Sequence, residues 1–175
     1  MLGPMDVSRE LLAAEIPHEF VRLPRRIATA DELPDVLDVP PRECVVVRIY
    51  ETDRGRRALL LPTGAMPVPA RLARATGARV VGMAGATATS LCTDFTATLV
   101  APVCLPRDLP VVADAALGAS DVLYAATGDG GTALKIRAVD LLRHTGARVD
   151  TLTKPALAPL FLEETVPHTG VAAVR

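Results

Sequence analysis

The sequence predicts one α/β domain built around a mixed β-sheet, and three observations lead to that class. Short apolar and β-branched segments alternate with single helical segments, which is the pattern of α/β folds. Two of the β-type segments are joined by a tight polar turn, Thr52-Asp53-Arg54-Gly55, as in an antiparallel hairpin. The chain has 175 residues, half of them apolar. That length suits one domain that buries roughly 70% of its unfolded surface.

Apolar spacing and helix-end signals mark five helices. Ser8 is the expected N-cap of the first helix. Thr29, followed by acidic residues in the first turn, opens the second. Gly77 and Gly146 are the expected C-caps of the third and the fifth. The predicted helices cover 8–14, 29–37, 68–76, 87–92 and 139–144.

Alternating or short continuous apolar runs mark the strands. They are predicted over 19–23, 44–51, 56–61, 79–83, 111–113, 122–126 and 133–136, with 79–83 expected to be buried. From Thr151 onward, prolines and poor periodicity predict an extended tail. The predicted organisation is therefore a domain over 1–150 and a proline-containing C-terminal tail over 151–175.

Composition limits where the protein works. No apolar run approaches the ~18 residues that span a bilayer, and the N-terminus has no signal-peptide pattern, so a cytoplasmic location is expected. The three cysteines form no CxxC pair and are expected to be reduced and buried. The three histidines lack metal-ligand spacing, so no metal site is expected. The family resemblance described below likewise implies no cofactor.

The charge balance limits how the chain could contact nucleic acid. A net charge of −1 argues against binding by bulk electrostatics, although brief contact with a tRNA end stays open. Basic clusters at 22–26 and 54–57 are interpreted as solvated turns in preference to a tRNA surface. Two tyrosines, three phenylalanines and no tryptophan leave few stacking platforms for single-stranded bases.

Three stretches together carry a family resemblance. The first runs from Val39-Pro40-Pro41 into the apolar strand that begins at Cys44; the second covers 93–102 and ends in Pro102. The third is the turn Gly128-Asp129-Gly130-Gly131-Thr132 with the strand that follows it. In this order and at these spacings they resemble the YbaK family of free-standing aminoacyl-tRNA deacylases. The resemblance implies a single domain with a mixed, mostly antiparallel β-sheet flanked by helices.

The chain departs from the family pattern at three positions. Val46 stands where the family carries its signature lysine, Thr98 replaces a loop glycine, and Asp94 replaces the glycine before Phe95. A valine supplies neither the charge nor the donors of an ammonium. A β-branched residue is strained wherever a glycine needs positive φ, so the loop at Thr98 is expected either to take another course or to lose its aligned amides.

The residues at or near family positions give a candidate site. The candidate catalytic residues are Arg48, Thr98 and Asp114. Thr98 and Asp114 are at positions that the resemblance implies. Arg48 would share the face of Val46 and could supply a cation two residues away. The candidate substrate-binding residues are Val46, Pro102, Gly128, Asp129, Gly130, Thr132 and Lys135. Each also has a structural interpretation: an outward strand cation for Arg48 and Lys135, a cap for Asp114, and a tight hairpin for the glycine-rich turn.

The resemblance implies hydrolysis of the ester between a small amino acid and the 3′ end of a mischarged tRNA. The expected partners are therefore the aminoacyl-tRNA 3′ end and an aminoacyl-tRNA synthetase. The alternative is a non-catalytic or repurposed member that binds aminoacyl-tRNA, a synthetase or a small aminoacyl ligand. The missing lysine and the altered glycines favour that alternative.

Overall fold

The computed structural model describes residues 1–154 and contains five α-helices within them. Three short 3₁₀ turns lie at Ala30–Glu32, Pro41–Glu43 and Ala115–Ala119. Gly77 and Gly146 end two helices with φ of 61° and 60°, as their predicted C-cap roles require. The helices are α1 (Pro4–Ala13), α2 (Leu33–Leu37), α3 (Pro69–Thr76), α4 (Ala86–Thr93) and α5 (Ala138–Thr145).

Eight strands form one mixed sheet in the described part of the chain. They are β1 (His18–Arg22), β2 (Cys44–Thr52), β3 (Gly55–Pro62), β4 (Val80–Met83), β5 (Val111–Asp114), β6 (Val122–Ala126), β7 (Thr132–Arg137) and β8 (Arg148–Asp150). The order across the sheet is β1-β7-β6-β2-β3-β5-β8, and β4 pairs with the far end of β2. Pairings β1–β7, β6–β7, β2–β3 and β2–β4 are antiparallel, whereas β2–β6, β3–β5 and β5–β8 are parallel. The predicted fold class is confirmed.

Strand β2 divides the core into two layers because its side chains alternate. Val45, Val47 and Ile49 point to the face covered by α1 and α5, which we call the α5 face. Cys44, Val46 and Tyr50 point to the face covered by α2 and α3, the α3 face. Both layers are apolar and closely packed, so the strand is buried on both sides.

Two predictions of local structure were wrong, and one strand was not predicted. The first helix begins at Pro4 and not after Ser8, because Pro suits the first helical position and the Asp6 carboxylate accepts the Gly3 amide at 3.0 Å. Strand β4 lies at an edge with Val81 and Met83 exposed, so it is not buried. Strand β8, only three residues long and carrying Arg148, gave no recognisable β pattern.

The contacts of the domain continue to the end of the described chain. Thr153 forms an antiparallel bridge with Pro67, and Leu152 is fully buried. The predicted division at 150/151 stays a prediction, because residues 155–175 of the predicted tail lie outside the described residues. None of the helices in 1–154 has the length and apolar character needed to cross a membrane.

Candidate functional site

Val46, the residue that the resemblance sets in the place of a lysine, is buried. Val46 is 2% exposed and belongs to the apolar cluster on the α3 face, together with Leu99 and Ile27. The site at this position is therefore packed with side chains that carry no charge.

Arg48 lies on the same face of β2 as Val46, as the strand alternation predicts, and its guanidinium forms an ion pair with the Asp31 carboxylate. The side chain of Arg48 is 30% exposed and that of Asp31 37%, so the pair lies at the boundary between core and solvent. Asp31 comes from the 3₁₀ turn before α2. From the sequence, Asp31 was expected only as an acidic residue in the first turn of a helix. No sequence pattern indicated its pairing with Arg48.

A gap in the sheet lies beside Arg48. On the edge away from β3, β6 pairs only with Cys44 and Val45, and β4 pairs only with Tyr50 to Thr52. Between them the Ala84 amide donates to the Ile49 carbonyl at 2.8 Å. Since backbone groups of an antiparallel strand alternate between its two edges, the amide and carbonyl of Val47 point to the gap.

A cavity of about 170 Å³ occupies this gap, and we call it the Arg48 cleft. It brings together two of the predicted catalytic residues, Arg48 and Thr98. The other walls come from β2, from the segment that enters α4 and from α4 itself: Val47, Ile49, Met83, Ala84, Ala86, Thr89 and Ala97. The cleft thus combines a guanidinium, a hydroxyl and strand-edge backbone groups on small apolar walls.

Thr98 takes its place in the cleft without left-handed backbone strain, because it is not among the residues with positive φ. Its hydroxyl donates to the Ala28 carbonyl at 2.7 Å, and its carbonyl accepts the Ala30 amide at 2.9 Å. The loop therefore follows a course that a threonine can adopt. Asp94, in contrast, keeps a left-handed conformation with φ of 58° at the end of α4, which aspartate tolerates better than most residues.

Pro102 lies outside the Arg48 cleft. The chain crosses the sheet between Leu99, which packs on the α3 face, and Val100, which packs on the α5 face. Pro102 lines a separate pocket that also contains Glu10 and His144. The structure therefore does not bring Pro102 together with Arg48.

Asp114 is 1% exposed and has backbone partners for both carboxylate oxygens. Oδ1 accepts the Ala116 amide at 2.8 Å, and Oδ2 accepts the Leu152 and Thr153 amides at 2.9 and 2.7 Å. This arrangement is the predicted cap, extended to the end of the domain. The carboxylate is enclosed by these backbone amides and has a structural role in the fold.

Several backbone groups of the glycine-rich turn are hydrogen-bonded within the turn or to neighbouring segments. Asp129 Oδ1 accepts the amides of Gly131 and Thr132 at 3.2 and 3.1 Å. The Gly130 carbonyl accepts the Ile27 amide at 2.8 Å. A Cβ on Gly130 would lie 2.2 Å from the Ile27 carbonyl oxygen, and Gly128 has φ of 93°. These contacts are those of a closed hairpin turn packed against the 23–27 segment.

Lys135 forms an exposed ion pair with Glu19 on the adjacent strand β1, with the Nζ and Oε2 atoms 2.8 Å apart. The hydrogen bond with Glu19 raises the pKa of Lys135. Burial raises the pKa of the Cys44 thiol to about 12, with Glu43 adding to the effect. That thiol is a poor nucleophile, in agreement with its interpretation as a core residue.

Comparison with known proteins defines the class of the chain. Residues 25–144 match the sequence model of the aminoacyl-tRNA editing domain, and the chain belongs to that family. The predicted YbaK-type resemblance is thereby confirmed. A search of curated protein sequences gave no significant match.

Solved structures share the fold. A candidate trans-editing enzyme for prolyl tRNA synthetase is 21% identical, with a TM-score of 0.75, and the match covers 86% of this chain and 96% of that one. A scaffold used for computational grafting of linear epitopes is 24% identical, with a TM-score of 0.76, and the match covers 87% and 97%. A signal-transduction protein candidate from Marinobacter aquaeolei VT8 is 15% identical, with a TM-score of 0.63; the match covers 85% of this chain and 30% of that chain.

Proposed function

We propose that this protein is a trans-editing deacylase that hydrolyses the ester between a small amino acid and the 3′ end of a mischarged tRNA, with Arg48 as the cation of its site. The observation that carries the proposal is the meeting of Arg48 and Thr98 in one cleft beside the filled lysine position. Membership of the editing family supports aminoacyl-tRNA as the substrate class.

Ester hydrolysis needs a positioned water and stabilisation of the charge that develops on the carbonyl oxygen. Water attacks the carbonyl carbon, the bond to the ribose oxygen breaks, and that oxygen receives the proton. The Arg48 guanidinium can stabilise the oxyanion, and donors fixed in place before the reaction are the effective ones. The ion pair with Asp31 holds the guanidinium at the cleft and is the device that fixes it.

The size of the cleft favours a small substrate side chain. A volume of about 170 Å³ leaves little space for a bulky residue between Ala84, Ala86 and Ala97. Small mischarged amino acids are also those that need editing, because one methylene changes binding by only ~1–3 kcal/mol in a synthetase.

The test is deacylation of a panel of mischarged tRNAs by the unmodified protein, Arg48→Ala and Arg56→Ala. A charge-assisted contact is worth ~1.5–3 kcal/mol, so Arg48→Ala should lower kcat/KM by about ten- to a hundredfold. Arg56 forms an exposed ion pair with Glu51 and does not line the cleft, which makes Arg56→Ala the matched control with an unchanged rate. Equal rates for both variants would remove Arg48 from the site.

A second function, binding without hydrolysis, is favoured by the buried Val46 and by the engagement of Arg48 with Asp31. A non-hydrolysable aminoacyl-tRNA mimic distinguishes the two. Tight binding of the mimic, with no release of amino acid from any charged tRNA in the panel, would establish the binder and reject the deacylase.

A further inference from the structure

A second pocket lies apart from the Arg48 cleft and shares no lining residue with it. It has a volume of about 440 Å³ and lies where α1, α5 and the loop before β5 meet. That volume is within the range of small-molecule sites, ~300–1,000 Å³. We call it the Glu10 pocket.

One wall of the Glu10 pocket carries a fixed carboxylate. Glu10 Oε1 accepts the Cys104 amide at 3.1 Å and lies 2.7 Å from His144 Nε2. These two contacts hold the side chain in place from α5 and from the loop. The second carboxylate oxygen, Oε2, has no hydrogen-bond partner among residues 1–154 and can accept bonds from a ligand ammonium.

A cation lines the same pocket. Arg107 is exposed, and it forms no ion pair with any residue that the structure describes. A guanidinium binds a carboxylate through two parallel hydrogen bonds. The pocket thus offers a partner for each charge of a zwitterion.

Aliphatic side chains line the rest of the pocket together with the hydroxyl-bearing Thr145. Val103, Leu105, Leu109 and Val111 supply aliphatic surface for a side chain. Burial, together with the hydrogen bond and charge of Glu10, raises the pKa of the Cys104 thiol to about 12, so it is no nucleophile. No cluster of metal-ligating side chains occurs within the described residues. The pocket is equipped to bind a ligand and not to transform it.

We propose that the Glu10 pocket binds a free apolar α-amino acid, with its ammonium on Glu10, its carboxylate on Arg107 and its side chain on the aliphatic walls. This site is additional to the proposed editing function and does not depend on it. A bound amino acid would report the supply of free amino acid to an editing-family protein.

The test is titration of the full chain with free leucine, followed by calorimetry and by amide NMR shifts at Glu10, Cys104, Arg107 and His144. Two analogues that each lack one charge, 3-methylbutylamine and 4-methylpentanoate, serve as ligand controls. Each should bind at least about tenfold more weakly than leucine, because each loses one charge-assisted contact. Other amino acids then define the preferred side chain.

Two substitutions locate the site. Arg107→Ala should weaken leucine binding by about tenfold or more, whereas Arg54→Ala, at an exposed arginine in the β2–β3 turn, should not change it. Glu10→Gln keeps an acceptor for the Cys104 amide but loses the charge, and should also weaken binding.

Absence of binding by all apolar amino acids at about 10 mM would overturn the proposal, since that limit corresponds to less than ~3 kcal/mol. Equal binding of leucine and either analogue would also overturn it and assign the pocket to simple amines or acids. Because no tRNA is used, this outcome is independent of any deacylation result.

Discussion

The Arg48 cleft and the glycine-rich turn both lie within the part of the chain that matches the editing family, yet they use their polar groups differently. In the turn, Asp129 accepts the amides of Gly131 and Thr132, and the amides of Leu23 and Ile27 donate to the carbonyls of Gly131 and Gly130. In the cleft, the Arg48 guanidinium is paired with Asp31 and the Thr98 hydroxyl donates to the Ala28 carbonyl, but both residues also line a cavity. The turn is thus fixed by contacts within the fold, whereas the cleft presents polar groups beside a cavity.

Asp114 should show the largest effect on stability of any predicted site residue. Asp114→Ala leaves three backbone amides without their acceptor, two of them buried, at ~1–3 kcal/mol each. We expect the free energy of unfolding to fall by about 4 kcal/mol in denaturant titrations. Asp108→Ala, at an exposed aspartate, is the control. A stable Asp114→Ala protein that had lost only activity would instead make Asp114 a catalytic residue.

The turn can be tested with two neighbouring glycines. Gly130→Ala places a Cβ against the Ile27 backbone, which cannot move aside, and should cost about 3 kcal/mol of unfolding free energy. Gly131→Ala meets the flexible end of Arg26 at 3.3 Å and the Asp129 carboxylate at an ordinary contact distance of 3.7 Å, and should cost under about 1 kcal/mol. Thermal unfolding of both variants measures the difference. Equal stabilities with lost binding of an aminoacyl-tRNA mimic would make the turn a ligand site.

Val46→Lys tests whether the cleft still fits the chemistry of the family. We expect a loss of about 2 kcal/mol in stability, because an ammonium enters an apolar layer. We also expect faster deacylation of mischarged tRNA, because the charge returns beside Arg48. Val46→Met, of similar length and neutral, is the control for packing. An unchanged rate in a folded Val46→Lys protein would mean that the cleft has diverged beyond this one residue.

The smallest effect is expected at Glu10. Burial raises the pKa of its carboxyl, but hydrogen bonds with His144 and Cys104 outweigh burial, so the pKa lies below its ordinary value. A lowered pKa stabilises the fold above the ordinary value, and that stabilisation disappears as the pH falls through the folded-state pKa. The stability difference between the unmodified protein and Glu10→Gln should be under about 1 kcal/mol at neutral pH, since solvent screens the side chain. It should shrink below pH 4.5. A stability difference for Glu10→Gln that stays constant across this pH range would contradict the assignment.

Much of the fold was predictable because its signals are local. The alternation of Cys44 to Glu51, the two-residue turn that follows, and the helix-ending Gly77 and Gly146 each reflect a rule that operates within a few residues. Strand β8 escaped prediction because three residues with two charged side chains carry no such signal. Its parallel pairing with β5 is a long-range contact that no local pattern specifies.

The site was less predictable because its geometry depends on pairing between distant segments. The alternation placed Arg48 on the face of Val46, but its partner Asp31 is 17 residues earlier in a separate turn. The cleft exists because β6 and β4 cover different ends of β2 and leave the middle uncovered. The sequence pattern does not indicate at which residue of β2 the pairing with β6 ends or the pairing with β4 begins.

The order of the strands in the sheet also bears on how the chain folds during synthesis. Strand β1 pairs with β7, which brings Glu19 to Lys135 across 116 residues, and Asp114 binds amides 38 and 39 residues further on. Long-range pairing of this kind requires loop closure, which costs chain entropy before the contacts between the strands can stabilise the fold. The ribosome must therefore release nearly the whole domain before the first strand and the last buried amides find their partners. Until then, the nascent chain carries an unpaired β1 edge of the kind that chaperones shield.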